Sequence, residues 1–107
     1  MNLKNNLNKI NKYYLIKGGR IYDPFLKLNV KKDILIKEGY IHEIKKNIKE
    51  KSNYIVLSCE NEIVTNGFVD LHSHFREPGF EYKETLETGS NAAFYGGYTR
   101  VCIMPNT

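Results

Sequence analysis

The 107-residue sequence predicts an α/β protein in which a strand-rich segment precedes one strand–helix–strand unit. Short apolar runs separated by glycine, proline and asparagine occupy the first part of the chain and indicate strands joined by tight turns. Beyond residue 67 a polar-patterned strand, a loop, a helical stretch and a second strand follow one another. We therefore divide the chain into a disordered or extended tail (1–12), a strand-rich segment (13–66) and a final segment (67–107).

The strand-rich segment contains five recognisable strand signals. The run "YYLIK" is followed by Gly18-Gly19 and "RIY", which is a typical hairpin pattern. The runs "DILIK", "YIHEIKKNI" and "YIVLS" predict further strands. We expect an antiparallel sheet that needs a second layer to cover one face, with His42 on the exposed side of its strand.

The final segment reads as a βα unit with a parallel return strand. "FVDLHSHF" predicts a strand, Pro78-Gly79 a loop, and "TRVCIM" the second strand. Between them "TLETGSNAAFYGG" predicts a helix that places Leu86, Ala93 and Phe94 on one side. One such unit cannot bury both faces of its sheet, so we expect more chain than these 107 residues.

Composition excludes several functional classes. The net charge is +4, but the lysines are dispersed rather than striped, which argues against a nucleic-acid partner. No run of 18 apolar residues and no signal peptide occur, so we expect a cytoplasmic protein without membrane association. The two cysteines, Cys59 and Cys102, show no metal-ligand spacing, and we expect both to be reduced and buried.

The stretch "DLHSHFR" places titratable side chains on alternate positions of the predicted strand. Asp70, His72, His74 and Arg76 share one face if the strand extends that far. Two imidazoles on one face can bind one metal ion, and a carboxylate beside them can orient a ligand. The alternative is a chance pair of histidines that hydrogen-bond to the backbone. Asp70 shares the predicted strand face of the two histidines, and this favours the metal site.

Two further side chains suit an anionic ligand. The planar guanidinium of Arg76 matches a carboxylate, although a surface ion pair with Glu77 or Glu81 is the alternative. Asn106 follows the second strand and can donate to the same anion, or be a simple turn residue. In a parallel barrel the carboxyl ends of neighbouring strands open onto one face, which would bring these groups together.

These residues carry a family resemblance. "GFVDLHSHFREPGFEYKETLETGSNAAFYGGYTRVCIMPNT" resembles the start of the catalytic barrel of class I dihydroorotases, in the amidohydrolase superfamily. "LIKGGRIYDP" and "DILIKEGYIHEI" resemble the β-sandwich segment before that barrel. Ser73 departs from the family pattern, which usually has an aliphatic residue between the histidines. The resemblance implies a β-sandwich segment followed by the first strand–helix–strand unit of a truncated TIM-like (β/α)8 barrel.

The resemblance also implies an activity. Dihydroorotases reversibly hydrolyse the cyclic amide of dihydroorotate to N-carbamoyl-L-aspartate in pyrimidine biosynthesis, with one or two Zn²⁺ ions per site. His72 and His74 match zinc ligands, and His74, Arg76 and Asn106 match residues at the substrate. The remaining ligands and the general base lie farther along in the family. The chain thus contains no catalytic base, and we expect it to be inactive by itself.

Three alternatives stay open. Allantoinases and hydantoinases share the fold and the histidine pair, but allantoinases typically lack an arginine at the position of Arg76 and hydantoinases lack "REPGFEYKET". Inactive dihydroorotase-like chains that assemble with aspartate carbamoyltransferase tend to lose the metal histidines, which are present here. The chain can also be a truncated product or part of a longer protein. Expected partners are a small-molecule substrate and, at full length, a second copy or aspartate carbamoyltransferase.

Overall fold

A computed structural model describes residues 12–106 in two compact units, the first running to Thr65 and the second beginning at Asn66. The predicted tail, apart from Lys12, lies outside the described residues. The elements are β1 (Tyr13–Lys17), β2 (Arg20–Asp23), β3 (Leu28–Lys31), β4 (Asp33–Lys37), β5 (Tyr40–Lys45), β6 (Tyr54–Ser58), β7 (Ile63–Val64), β8 (Phe68–Ser73), α1 (Leu86–Tyr95) and β9 (Tyr98–Ile103). In this range no helix has both the length and the apolar character that a membrane span requires.

The first unit contains two sheets rather than one. The larger sheet has the strand order β5-β4-β1-β6, and the smaller has the order β3-β2-β7. The hairpins β2–β3 and β4–β5 and the pair β1–β4 are antiparallel, whereas β1 pairs with β6 and β2 with β7 in parallel. The prediction of an antiparallel sheet was therefore only partly right, since each sheet is closed by a parallel strand that returns from farther along the chain.

The hairpin predicted at Gly18-Gly19 is wrong, because β1 and β2 belong to different sheets. Instead, the two glycines let neighbouring side chains come close to the backbone. Gly18 has a φ of +76° and donates its amide to Asp33 Oδ1 at 2.9 Å. A Cβ on Gly18 would collide with the Glu60 carboxylate, and one on Gly19 would lie 2.5 Å from Val64 Cγ2. The pair thus lets the chain change sheets beside the β6–β7 connection.

The core of the first unit is small. Leu15, Leu35 and Ile48 are buried together, and the rings of Tyr13 and Tyr54 pack against them. The two rings lie 5.8 Å apart in a tilted arrangement that aromatic pairs favour. His42 is exposed, as the sequence predicted.

Asp33 places a buried carboxylate beside this core. It is 5% exposed, and its oxygens accept the backbone amides of Gly18 and Ile48, each at 2.9 Å. The ammonium of Lys17 lies 3.6 Å away. Burial of the charge is tolerated because two amides and a cation replace the lost water. Asp33 therefore ties the start of β4 to two separate loops.

The second unit confirms the strand–helix–strand prediction, with β8 and β9 pairing in parallel. Helix α1 begins after Thr85, whose side chain accepts the Thr88 amide while the Thr88 hydroxyl accepts the Thr85 amide. It ends at Gly96, whose amide donates back to the last turn. Local sequence signals therefore suffice to begin and end this helix.

The predicted apolar side of α1 is not its buried side in the described chain. Phe94 is 71% exposed and Leu86 is 43% exposed. The buried helical residue is Gly89, which lies directly over the ring of Phe75. The missing Cβ at Gly89 is what lets the helix approach the segment after β8 so closely.

The two cysteines are free, as predicted, but neither is fully buried. Cys59 is half-buried, and Cys102 is exposed on β9. The expectation of burial was wrong for Cys102 because β9 belongs to a two-stranded sheet within the described residues.

Candidate metal and substrate site

The histidine pair lies at the carboxyl end of β8. His72 is within the strand, and His74 follows directly after its last residue, Ser73. The ring centroids lie 5.3 Å apart with an interplanar angle of 61°. The two imidazoles are therefore side by side rather than on opposite faces of the sheet, a spacing at which one ion can be shared.

The hydrogen bonds around the pair leave a ring nitrogen available. Nδ1 of His74 is buried and has no hydrogen-bond partner in the described chain. Asp70 Oδ1 accepts the backbone amide of His72 at 3.0 Å, so this carboxylate holds the main chain at the first histidine. A buried nitrogen without a partner is unfavourable in a structural histidine and is suited to a metal ligand.

The described residues supply two ligands and not a complete set. Between residues 12 and 106 no group of three or more His, Cys, Asp or Glu side chains is placed to hold a metal ion. Catalytic zinc usually has three protein ligands. The histidine pair can therefore form one side of a metal site whose other ligands come from elsewhere.

Arg76 does not lie on the strand. Strand β8 ends at Ser73, so the predicted alternation does not reach Arg76, whose φ of +68° belongs to a turn. Within residues 12–106 its exposed guanidinium makes no ion pair. The carboxylates considered as its partners bond to backbone amides: Glu77 accepts from Leu86 at 2.6 Å and Glu81 from Gly79 at 2.9 Å.

The bond to Glu81 has an electrostatic consequence. The amide of Gly79, followed by the residue's own amide, holds the pKa of the Glu81 carboxyl below its usual value. Hydrogen bonds from amides stabilise the charged carboxylate and not the neutral acid. The Glu81 carboxylate therefore stays charged, and it already accepts hydrogen bonds from backbone amides of the turn beyond Arg76.

Asn106 reaches the same turn from the end of β9. Its side-chain nitrogen Nδ2 donates to the carbonyl of Arg76 at 2.9 Å and to the carbonyl of Pro78 at 2.8 Å. Its Oδ1 is buried without a partner in the described chain. The amide of Met104 donates to Ser73 at 2.8 Å and keeps the two strand ends together. Thus Asn106 and Arg76 are in contact through the backbone of the turn.

Charged residues line cavities in both units of the described chain. A cavity of about 280 Å³ in the second unit is lined by Asp70, His74, Glu84 and residues of α1. A larger cavity, about 470 Å³, lies in the first unit among lysine and carboxylate side chains and contains none of the predicted site residues. Asp70 and His74 line the cavity of the second unit, whereas His72, Arg76 and Asn106 do not, so this cavity covers only part of the candidate site.

Sequence reasoning missed the packing that supports the site. Phe75, which lies between His74 and Arg76, is 6% exposed and rests on Gly89 of α1. A glycine inside a helical pattern is the available signal, because it often marks a close contact. The identity of the contacting residue is visible only in three dimensions.

Residues 61–107 match the sequence family described as Dihydro-orotase-like. The dihydroorotases of Sulfurihydrogenibium sp. (strain YO3AOP1) and Clostridium botulinum (strain Eklund 17B / Type B) are each 53% identical over 93 residues, which is 87% of this chain. Over most of its length this chain is therefore similar to dihydroorotases. It spans only 22% and 23% of the length of those two relatives.

Solved structures agree on the broad architecture. A D-hydantoinase matches 88% of this chain and 21% of its own length, with a TM-score of 0.73 and 29% identity. The D-hydantoinase (dihydropyrimidinase) from Thermus sp. matches 87% of this chain and 21% of its own, with a TM-score of 0.68 and 34% identity. The described residues therefore have the strand-rich fold of part of an amidohydrolase chain.

Proposed function

We propose that the natural protein containing this chain is a dihydroorotase, which reversibly hydrolyses the cyclic amide of dihydroorotate to N-carbamoyl-L-aspartate. The observation that carries the proposal is the adjacent pair His72 and His74 followed by an unpaired arginine, in a chain 53% identical to dihydroorotases. The chain covers about a fifth of those relatives, so the proposal concerns the whole natural protein.

The histidine pair fits a zinc site. The rings are adjacent, and Nδ1 of His74 is buried without a protein partner, as a ligand nitrogen would be before an ion binds. His72 and His74 would hold one or two Zn²⁺ ions together with ligands from outside these 107 residues. When bound, zinc acts as a Lewis acid that polarises the amide carbonyl. The general base would also come from outside the chain.

Arg76 provides the anchor for the carboxylate of the substrate. Its guanidinium is exposed and unpaired within the described residues, and it follows the histidine pair by two positions. A planar fork binds a carboxylate through two parallel hydrogen bonds. His74, Arg76 and Asn106 would thus lie at the substrate, with the arginine setting its orientation relative to the metal.

We also propose an architecture for the whole natural protein. The unit β8–α1–β9, within residues 67–107, would begin a TIM-like (β/α)8 barrel, and residues 13–66 would form a β-sandwich segment. Support comes from the apolar side chains that β8 leaves uncovered: Phe68 is 53% and Leu71 is 73% exposed. Further barrel strands and helices would cover them. A second copy, or aspartate carbamoyltransferase, is the partner that the resemblance suggests.

The test is a turnover assay of the natural protein, expressed from its whole reading frame, on dihydroorotate, allantoin and hydantoin. We expect turnover of dihydroorotate, and its loss in His72→Ala and His74→Ala. Arg76→Ala removes a charged hydrogen bond worth roughly 1.5–3 kcal/mol, so KM should rise about 10- to 100-fold. The control is Arg20→Ala, since Arg20 donates to Asn29 in the first unit and should not affect KM.

A hydantoinase is the second candidate, because the two solved structures compared above are D-hydantoinases. Turnover of hydantoin without dihydroorotate would establish it and overturn the first proposal. Turnover of allantoin alone would overturn both.

A further inference from the structure

The turn that carries Arg76 has a left-handed backbone at its first residue. We call residues 76–80 the Arg76 turn. The φ of Arg76 is +68°, a region that a residue with a side chain occupies only where its surroundings impose it. The Arg76 carbonyl accepts the Phe80 amide at 2.9 Å, which closes the turn. The exposed guanidinium therefore extends from a backbone that its neighbours must hold in place.

The half-buried side chain of Glu77 connects this turn to helix α1. Its Oε2 accepts the amide of Leu86, the first residue of the helix, at 2.6 Å. The first amides of a helix have no acceptor inside the helix, and the positive end of the helix favours a carboxylate. Thr85 supplies the acceptor for the Thr88 amide at 3.1 Å, and Glu77 supplies the one for Leu86. A residue of the Arg76 turn thus completes the start of α1.

The same bond occupies the carboxylate that directly follows Arg76 in the chain. Within residues 12–106 the guanidinium of Arg76 makes no ion pair. A guanidinium that is paired with a protein carboxylate is not free to bind the carboxylate of a ligand through two parallel hydrogen bonds. The bond between Glu77 and Leu86 therefore helps to leave Arg76 open for an anion from outside the chain.

We propose that Glu77 is a positioning residue that acts through Arg76. By accepting the Leu86 amide it fastens the left-handed turn to a regular helix, and the helix fixes the backbone from which the guanidinium extends. The role rests on the proposed function, in which Arg76 meets the substrate carboxylate. It needs an acceptor oxygen at this position rather than the negative charge itself, so glutamine should serve and alanine should not.

The first experiment measures the turn without any substrate. In the natural protein, Glu77→Ala removes the acceptor, so hydrogen exchange should accelerate about tenfold at the Leu86 amide and about three- to tenfold at the Phe80 amide. Glu77→Gln retains an acceptor oxygen and should change both rates by less than about threefold. The Gly89 amide, which donates to Thr85 inside α1, should keep its protection and report that the unit is folded.

The matched control is Glu87→Ala, which removes an exposed carboxylate from the first turn of α1. It loses the same charge near the start of the helix, but the Arg76 turn keeps its link to Leu86, so exchange at Phe80 should not change. Unchanged exchange at Phe80 in Glu77→Ala would overturn the proposal, as would equal acceleration in the control. Lost protection at Gly89 in Glu77→Ala would show that Glu77 supports the whole unit, which would also overturn the local role.

The second experiment is a double-mutant cycle on KM and kcat for dihydroorotate. We expect Glu77→Ala to raise KM about three- to tenfold with a smaller change in kcat, and to have no further effect on KM in the Arg76→Ala background. Glu77→Gln should keep KM within about threefold of that of the unsubstituted protein. An equal effect of Glu77→Ala in both backgrounds would mean that Glu77 does not act through Arg76, and would overturn the positioning role. If the unsubstituted protein does not turn over dihydroorotate, the proposed function fails, while exchange at Phe80 still decides whether Glu77 holds the turn.

Discussion

Gly89→Ala tests whether a close helix contact supports the site. A Cβ at Gly89 would lie 2.8, 2.9 and 3.1 Å from three ring atoms of Phe75. The ring is 6% exposed, and Phe75 lies between His74 and Arg76 in the chain, so a backbone shift that relieved the contact would move both neighbours. The substitution therefore affects the packing beneath the proposed metal and carboxylate groups.

Two effects oppose each other in this variant. Alanine is a better helix former than glycine by about 1 kcal/mol. Overpacking a rigid, enclosed ring costs about 2–3 kcal/mol, the upper half of the usual range, because all three contacts are shorter than normal van der Waals separations. We therefore expect a net destabilisation of about 1–2 kcal/mol.

Equilibrium urea unfolding followed by circular dichroism measures this difference. With an m-value of about 1–3 kcal/mol/M, the unfolding midpoint should fall by about 0.3–2 M. Asn91→Ala is the control, since it changes helix propensity at an exposed position of α1 and should leave the midpoint equal or slightly higher. In the Phe75→Leu background, Gly89→Ala should lose most of its effect. A raised midpoint in Gly89→Ala alone would refute the packing argument.

Three further outcomes are expected. Asp33→Ala removes the acceptor of two buried backbone amides and should lower the free energy of unfolding by about 2–4 kcal/mol, measured by urea unfolding. Partial burial, followed by the neighbouring Glu62 carboxylate, raises the pKa of the Cys59 thiol, so less thiolate is present at a given pH. Iodoacetamide should therefore label exposed Cys102 first, and reach Cys59 at higher pH, as read by mass spectrometry. The 107-residue polypeptide should bind zinc only weakly by calorimetry, because its described residues supply two ligands; tight stoichiometric binding would contradict this.

The second unit is the part that local sequence signals predicted well. Alternating polar and apolar residues predicted β8, and Thr85 and Gly96 are the expected kinds of residue at the two ends of α1. The side-by-side arrangement of His72 and His74 follows from the same alternation. Such signals depend on backbone geometry over a few residues, so they persist in the folded chain.

Sequence alone predicted most of the elements, the histidine pair and the family resemblance, whereas only the tertiary structure showed strands β3 and β7 and decided which segments meet. Gly18-Gly19 reads locally as a hairpin, yet it carries the chain between sheets because Glu60 and Val64 return to fill the space beside it. The hydrogen bond from the Asn106 side chain to the carbonyl of Arg76 spans 30 residues and leaves no periodic pattern. Contacts of this kind depend on the path of the chain between them, which no short window of residues contains.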